Sequence, residues 1–332
     1  MRYIIPCVEQ LDRAVQELWI ENPVNSRLAL ILTDNVVELV CYRQCNDTIH
    51  EDSAYWTIKP KYRRHERRRV LGRYFDEKIS FLRKIDLISL EEHEFIIVAH
   101  KYRNEAYHIG LKDDLIIHSI AYQYHILACD LFGRFKPSCI QSSENNPYTE
   151  RVKHHFEKLG LKSHWSSFPD LLQLAQSISE ERPIAEETLS EILSETLLEE
   201  IDEIKNQFQF LFSSTPNKQG KNEILENIQF QEDFMREIEK ADIFPSETEY
   251  QIKAEHIQKQ MKGSWKPRYD SIPFQTWRKR AQLLRREKNP FKALKKFDDL
   301  RDEKSYISEV IENAASELDA YIQLEIDRLR GK

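Results

Sequence analysis

Arg103-Asn104-Glu105-Ala106-Tyr107-His108 runs directly into a long apolar segment, Ile109 to Phe132. Leu115, Ile116, Ile120, Tyr124, Leu127, Ala128 and Leu131 recur there at helical spacing, so this segment predicts a buried helix. A second such helix is expected from Ser26, read as its N-cap, to about Arg43. Leu28, Ile31, Leu32, Val36, Leu39 and Val40 supply its period. Asp34 and Asn35 interrupt that helix with polar side chains. They fit either a solvated stripe or a polar contact that orients a neighbouring helix.

Outward from these two helices, the rest of the chain also predicts helix. Only 7 of 332 residues are glycine. Sheet-rich and dinucleotide-binding folds need more of them for turns and phosphate loops. Neither G-x-G-x-x-G nor a P-loop pattern occurs, which argues against a nucleotide-driven motor or a dehydrogenase. Further helices are read at Leu11–Ile20, at Phe75–Leu82 as a continuation of the preceding basic stretch, and at Glu91–Tyr102. Gly133 suits a helix end. The polar stretch Gln141 to Tyr148 is the best domain boundary. The expectation is therefore an all-α protein: a helical bundle over 1–145, then an extended helical C-terminal domain over 150–332.

Charge is uneven although the net value is only −7. Between Lys59 and Arg73 lie Lys61, Arg63, Arg64, Arg67, Arg68 and Arg69, broken by one acid, Glu66. Residues of one sign repel each other unless an anion sits among them, so this run is a candidate phosphate-binding surface, with a solvated helix face as the alternative. A second basic stretch, Met261 to Phe297, carries Trp265, Tyr269, Phe274 and Trp277. It fits either a single-strand-binding surface or a basic partner for the acidic helix at 185–203. The five cysteines have no framework spacing, and no apolar run approaches a membrane span. The N-terminus has no apolar signal region, so a cytoplasmic protein with reduced thiols is expected. The spaced pairs His93/His100 and His118/His125 are read as packing or surface residues, and no metal or cofactor is expected.

An arginine and a histidine can cleave RNA without a metal. Histidine can remove the ribose 2′-hydroxyl proton or protonate the leaving 5′-oxygen, while arginine stabilises charge gathering on phosphorus. Residues five apart on a regular helix point about 140° away from each other. The pair converges within one chain only if Arg103 lies in a turn or at a helix start, where free N–H groups would also favour a phosphate. A two-fold dimer would bring two such pairs to one cleft.

The motif and its setting resemble the HEPN domains. These are all-α, commonly dimeric domains whose ribonuclease members carry R-x(4–6)-H before a long apolar helix. Arg103-Asn104-Glu105-Ala106-Tyr107-His108 matches R-x4-H with a polar residue after the arginine, and Arg27–Leu39 resembles the family's buried, acid-bearing helix. The resemblance covers roughly residues 1–140. It implies a metal-independent endoribonuclease with Arg103, Asn104 and His108 at the site and a composite site in a homodimer. It also implies a toxin or phage-defence setting with an antitoxin or other partner protein. Some HEPN toxins carry a modifiable tyrosine two residues after the histidine. Here that position is Gly110, so that switch is not expected. On this reading Arg63, Arg64, Arg67, Arg68, Arg69 and Arg73 guide the RNA. The alternative is a non-catalytic helical module that binds nucleic acid or protein.

Overall fold

The computed structural model describes residues 3–54, 59–108, 114–137, 149–160, 169–185, 187–214, 220–241 and 247–330. Among them the chain forms helices and no strand, as the scarcity of glycine predicts. The chain divides into two compact units: residues 1–193 with 284–296, and residues 194–283 with 297–332. The boundary predicted at 141–148 lies outside the described residues, and the observed division falls later, at 193/194.

The first unit is built around α2, Pro23–Asp52. Its start is one turn earlier than Ser26. Asn22 is the N-cap, its side chain accepting from the Asn25 backbone N–H at 3.0 Å, and Pro23 fits the first turn because its missing N–H has no intrahelical acceptor there. Thirty residues make a rod about 45 Å long. It packs against α1 (Ile4–Leu18), α4 (Phe75–Lys84), α5 (Leu90–His108) and α6 (Asp114–Arg134). Ala29, Leu30, Val36, Val37, Val40 and Cys41 are buried along it, facing Ile116, Ile120, Tyr124 and Leu127 on α6 and Leu11, Val15 and Leu18 on α1 among the unit's core. Gly133 lies inside the last turn of α6 rather than beyond it. A Cβ at Gly133 would stand 3.2 Å from Ala175 and from Leu172, so its absence lets α8 (Pro169–Ser179) close on α6.

The unit extends past residue 145 because α7 (Glu150–Lys158) is tied to α1 by charge. Buried Asp12 accepts from His155 Nε2 at 2.9 Å and from the Arg151 guanidinium. Burial alone would raise the Asp12 pKa, but these two partners outweigh it and hold the carboxyl below its ordinary range.

The basic run does not form one helix with Phe75–Leu82. A short helix, α3 (Arg64–Val70), ends at Leu71, and a turn through Gly72 re-aims the chain into α4. Arg67 anchors α3 to the end of α2. It donates to the Tyr62 carbonyl at 2.9 Å, Ser53 Oγ at 2.6 Å and Asp52 Oδ2 at 3.0 Å. Arg69 pairs with Glu77 at 2.6 Å.

In the second unit, the parts of α9 (Leu189–Ser214), α12 (Phe274–Leu284) and α13 (Pro290–Leu329) that belong to it bury Leu197, Ile201, Trp277, Ala281, Ile307 and Val310. α10 (Lys221–Lys240) packs on α11 (Glu247–Ser264). The break after α11 is pinned by the buried side chain of Gln229. Its Oε1 accepts from the Arg268 and Tyr269 backbone N–H groups, and its Nε2 donates to the Tyr269 carbonyl at 2.9 Å. Of the aromatic residues read as a base-stacking surface, Trp277 is buried, while Trp265, Tyr269 and Phe274 are half-buried. Trp277 is fully buried and donates to Glu303, Trp265 donates to Asp233, and the Tyr269 hydroxyl donates to the Glu303 carbonyl. Arg278 of the same stretch pairs with Asp202 on the acidic helix, which favours the helix-pairing alternative for that residue. No helix among the described residues is long and apolar enough to cross a membrane.

Candidate functional site

The polar break in α2 organises the site. Asp34 is completely buried, and a lone carboxylate there would be costly, so three partners converge on it. The Tyr124 hydroxyl of α6 donates to Oδ1 at 2.9 Å. His100 Nδ1 of α5 lies 3.1 Å from Oδ1 and 3.0 Å from Oδ2. Arg103 Nε, also on α5, is 3.2 Å from Oδ2 as an ion pair. Of the two readings of Asp34 and Asn35, the helix-orienting contact is therefore the one observed.

Arg103 is fixed from further directions. Its guanidinium donates to Asn104 Oδ1 at 2.9 Å and to Asn35 Oδ1 at 3.3 Å, and Glu38 Oε1 lies 3.8 Å away. Arg103 Nε is buried and makes an ion pair but no hydrogen bond. Together with Asn35, Glu38, His100 and Asn104, Arg103 lines a cleft of about 840 Å³, with Arg73, Tyr74, Phe75 and Asp76 from the α3–α4 turn and the start of α4. Arg73 donates to the Tyr74 hydroxyl at 3.0 Å, so a cation and an aromatic ring sit beside each other in this lining. Lys78 donates to the carbonyls of Gly72 and Tyr74 and holds that turn in place.

Comparison with family models, curated proteins and solved structures finds no match for this chain.

Charge tuning follows the packing. Burial, and then the neighbouring Asp34 carboxylate, raise the Glu38 pKa despite Arg103 and His100. Burial alone would lower that of His100. The hydrogen bond that His100 donates to Asp34, with the charges of Asp34 and Glu38, outweighs it, and the net shift is upward. Asp34, Glu38 and His100 also offer ligand atoms within 4.8 Å of one another. A cation there would have to displace the Arg103 guanidinium and the Tyr124 hydroxyl from the same carboxylate, so the arrangement fits an ion-paired arginine better than a metal.

The sequence-predicted residues separate into three groups. Arg103 and Asn104 stand together in the cleft lining. His108 is the last residue of α5, and its side chain lies outside the described residues, as does Gly110. Arg103 is not at a helix start, because α5 continues without a break from Leu90 to His108. The free N–H groups expected beside it are therefore engaged in that helix, and positions 103 and 108 are about 140° apart around its axis. Of the arginines expected to guide RNA, Arg73 reaches the cleft lining, Arg63, Arg64 and Arg68 are exposed, and Arg67 and Arg69 are held by carboxylates. His100 was missed as a site residue. Its pairing to His93 at seven residues hid the relevant spacing of three to Arg103, which puts His100 and Arg103 about 60° apart on one face of α5.

A larger cavity, about 1080 Å³, lies elsewhere in the first unit. It is lined by Ser26, His118, Tyr122, Ile184, Arg286 and Lys288 among others. Ser26 Oγ and His118 Nδ1 are hydrogen-bonded there at 3.0 Å. It shares no lining residue with the Arg103 cleft.

Proposed function

We propose that this chain is a metal-independent endoribonuclease of the HEPN type, acting as a homodimer with a composite site. The supporting observation is Arg103: its guanidinium is held by Asp34, Asn35 and Asn104 at the wall of an open cleft that also carries Arg73 and Tyr74. A pre-positioned planar cation suits a scissile phosphate whose charge grows in the transition state. Asn104 orients Arg103, and His108 removes the 2′-hydroxyl proton. Because positions 103 and 108 face different ways on one continuous helix, the second copy of the chain supplies the matching histidine. A toxin or phage-defence role with a partner protein follows from the HEPN resemblance alone.

The test is total RNA incubated with purified protein and a chelator. Wild type should yield 2′,3′-cyclic phosphate ends, and Arg103→Ala and His108→Ala should each cut the rate by roughly 10²–10³. If all three proteins bind RNA and leave it intact, the non-catalytic binding module is the correct reading.

The exposed arginines give a separate expectation. Changing Arg63, Arg64 and Arg68 together to Glu should weaken RNA binding and flatten its dependence on log salt by roughly 2, the loss of about three phosphate contacts to a single strand. An unchanged slope would remove these residues from the binding surface. Arg67→Glu is expected to act differently, by releasing α3 from Asp52 and Ser53.

A further inference from the structure

Strand cleavage through the 2′-hydroxyl needs two proton transfers, one from the attacking oxygen and one to the leaving oxygen. The ribonuclease reading assigns His108 to the first. We propose that His100 performs the second, as the general acid that protonates the leaving 5′-oxygen. This inference rests on the ribonuclease reading and adds a residue to the same site.

Four observations carry it. His100 lines the same cleft as Arg103. It lies three residues before Arg103, on the face of α5 from which Arg103 also reaches Asp34. Its Nδ1 is held by both Asp34 oxygens, which leaves Nε2 as the nitrogen turned away from the carboxylate. The Phe75 ring packs on the imidazole, with centroids 4.6 Å apart, and the Tyr124 hydroxyl also donates to Asp34, so the ring plane is set before any ligand arrives. A buried carboxylate that holds one nitrogen of a histidine selects its tautomer and stabilises its imidazolium form.

The charged groups around the ring are Asp34 and Glu38 on α2, Arg103 on α5, and Arg73, Asp76 and Lys78 in the cleft lining. The two carboxylates nearest the imidazole outweigh burial and Arg103, and the net upward shift in its pKa suits an acid that must start protonated near neutrality. In the step itself, the 2′-oxygen loses its proton to His108 and forms a bond to phosphorus. The bond from phosphorus to the 5′-oxygen breaks, and that oxygen takes the proton from His100 Nε2. The products are a 2′,3′-cyclic phosphate and a 5′-hydroxyl, and no oxidant or co-reactant is required.

A leaving-group experiment tests the assignment. Full-length wild type, His100→Gln, His108→Ala and Arg103→Ala are compared on RNA and on a nucleoside 3′-(p-nitrophenyl phosphate), whose leaving group needs no proton. His100→Gln should lose 10²–10⁴-fold on RNA, lose the alkaline limb of the pH–rate profile, and stay within a few fold of wild type on the p-nitrophenyl ester. His108→Ala and Arg103→Ala should lose activity on both substrates. Equal losses for His100→Gln on the two substrates would make His100 a positioning residue and overturn the proposal, as would an unchanged rate on RNA. A wild type that leaves RNA intact fails the ribonuclease reading itself, and this proposal with it.

Discussion

Asp34→Ala is expected to lower the stability of the first unit by about 3–5 kcal/mol, the range for removing one partner of a buried ion pair. Arg103 and His100 would lose the carboxylate they share, and the Tyr124 hydroxyl would be left with no acceptor in a fully buried position. Alanine's better helix propensity returns at most about 0.7 kcal/mol, too little to change the sign. Asp34→Asn should fall between alanine and wild type, since it keeps an oxygen for Tyr124 but removes the charge. Urea unfolding, with amide hydrogen exchange along α2, α5 and α6 to locate the loss, measures both. An alanine variant within 1 kcal/mol of wild type, on the scale of one ordinary hydrogen bond, would mean that the cluster is held by packing alone.

The second large effect is acid destabilisation through His125. This ring is fully buried on α6, and its Nε2 lies 3.0 Å from the Leu11 carbonyl oxygen, which fits a neutral ring donating Nε2–H to α1. Burial pushes its pKa down to about 4, against 6.5 for an exposed histidine. The unfolded chain therefore binds this proton more readily than the folded one. Stability is intact above pH 6.5 and falls as pH drops toward 4, by about 3 kcal/mol in all for this group. His100 works in the opposite sense. Its raised folded pKa gives stability that is present below pH 6.5 and lost as pH rises through the folded value. His125→Gln should have a urea midpoint that drops much less than wild type's between pH 7 and pH 4. Parallel pH dependence in the two proteins would show that His125 does not govern the acid limb.

The residue pattern makes some of this legible and hides the rest for identifiable reasons. The apolar periods of α2 and α6 are clear because their core faces are nearly continuous, and Asp34 is conspicuous as an acid inside such a face. Arg103 is visible through its short motif. The course of α5 is not, because no glycine or proline marks where the helix ends near Arg103, and the chain stays helical to His108. His100 gives no signal of its own, since its partner is 66 residues away on another helix. In the basic run, sign alone does not separate Arg67, which ties α3 to α2, from the exposed Arg63 and Arg64. Composition likewise does not separate Trp277, which is buried, from Trp265, Tyr269 and Phe274, which are half-buried.

One consequence of the way Arg103 is held concerns entropy. A free arginine side chain carries about 2 kcal/mol of rotamer freedom, which a ligand would ordinarily have to remove on binding. Here Asp34, Asn35 and Asn104 restrict it before anything enters the cleft. That freedom is lost when the chain folds, so an anion meeting Arg103 encounters a donor already in position. The ordering cost of the site has been moved from recognition to folding, and it is concentrated in one buried acid.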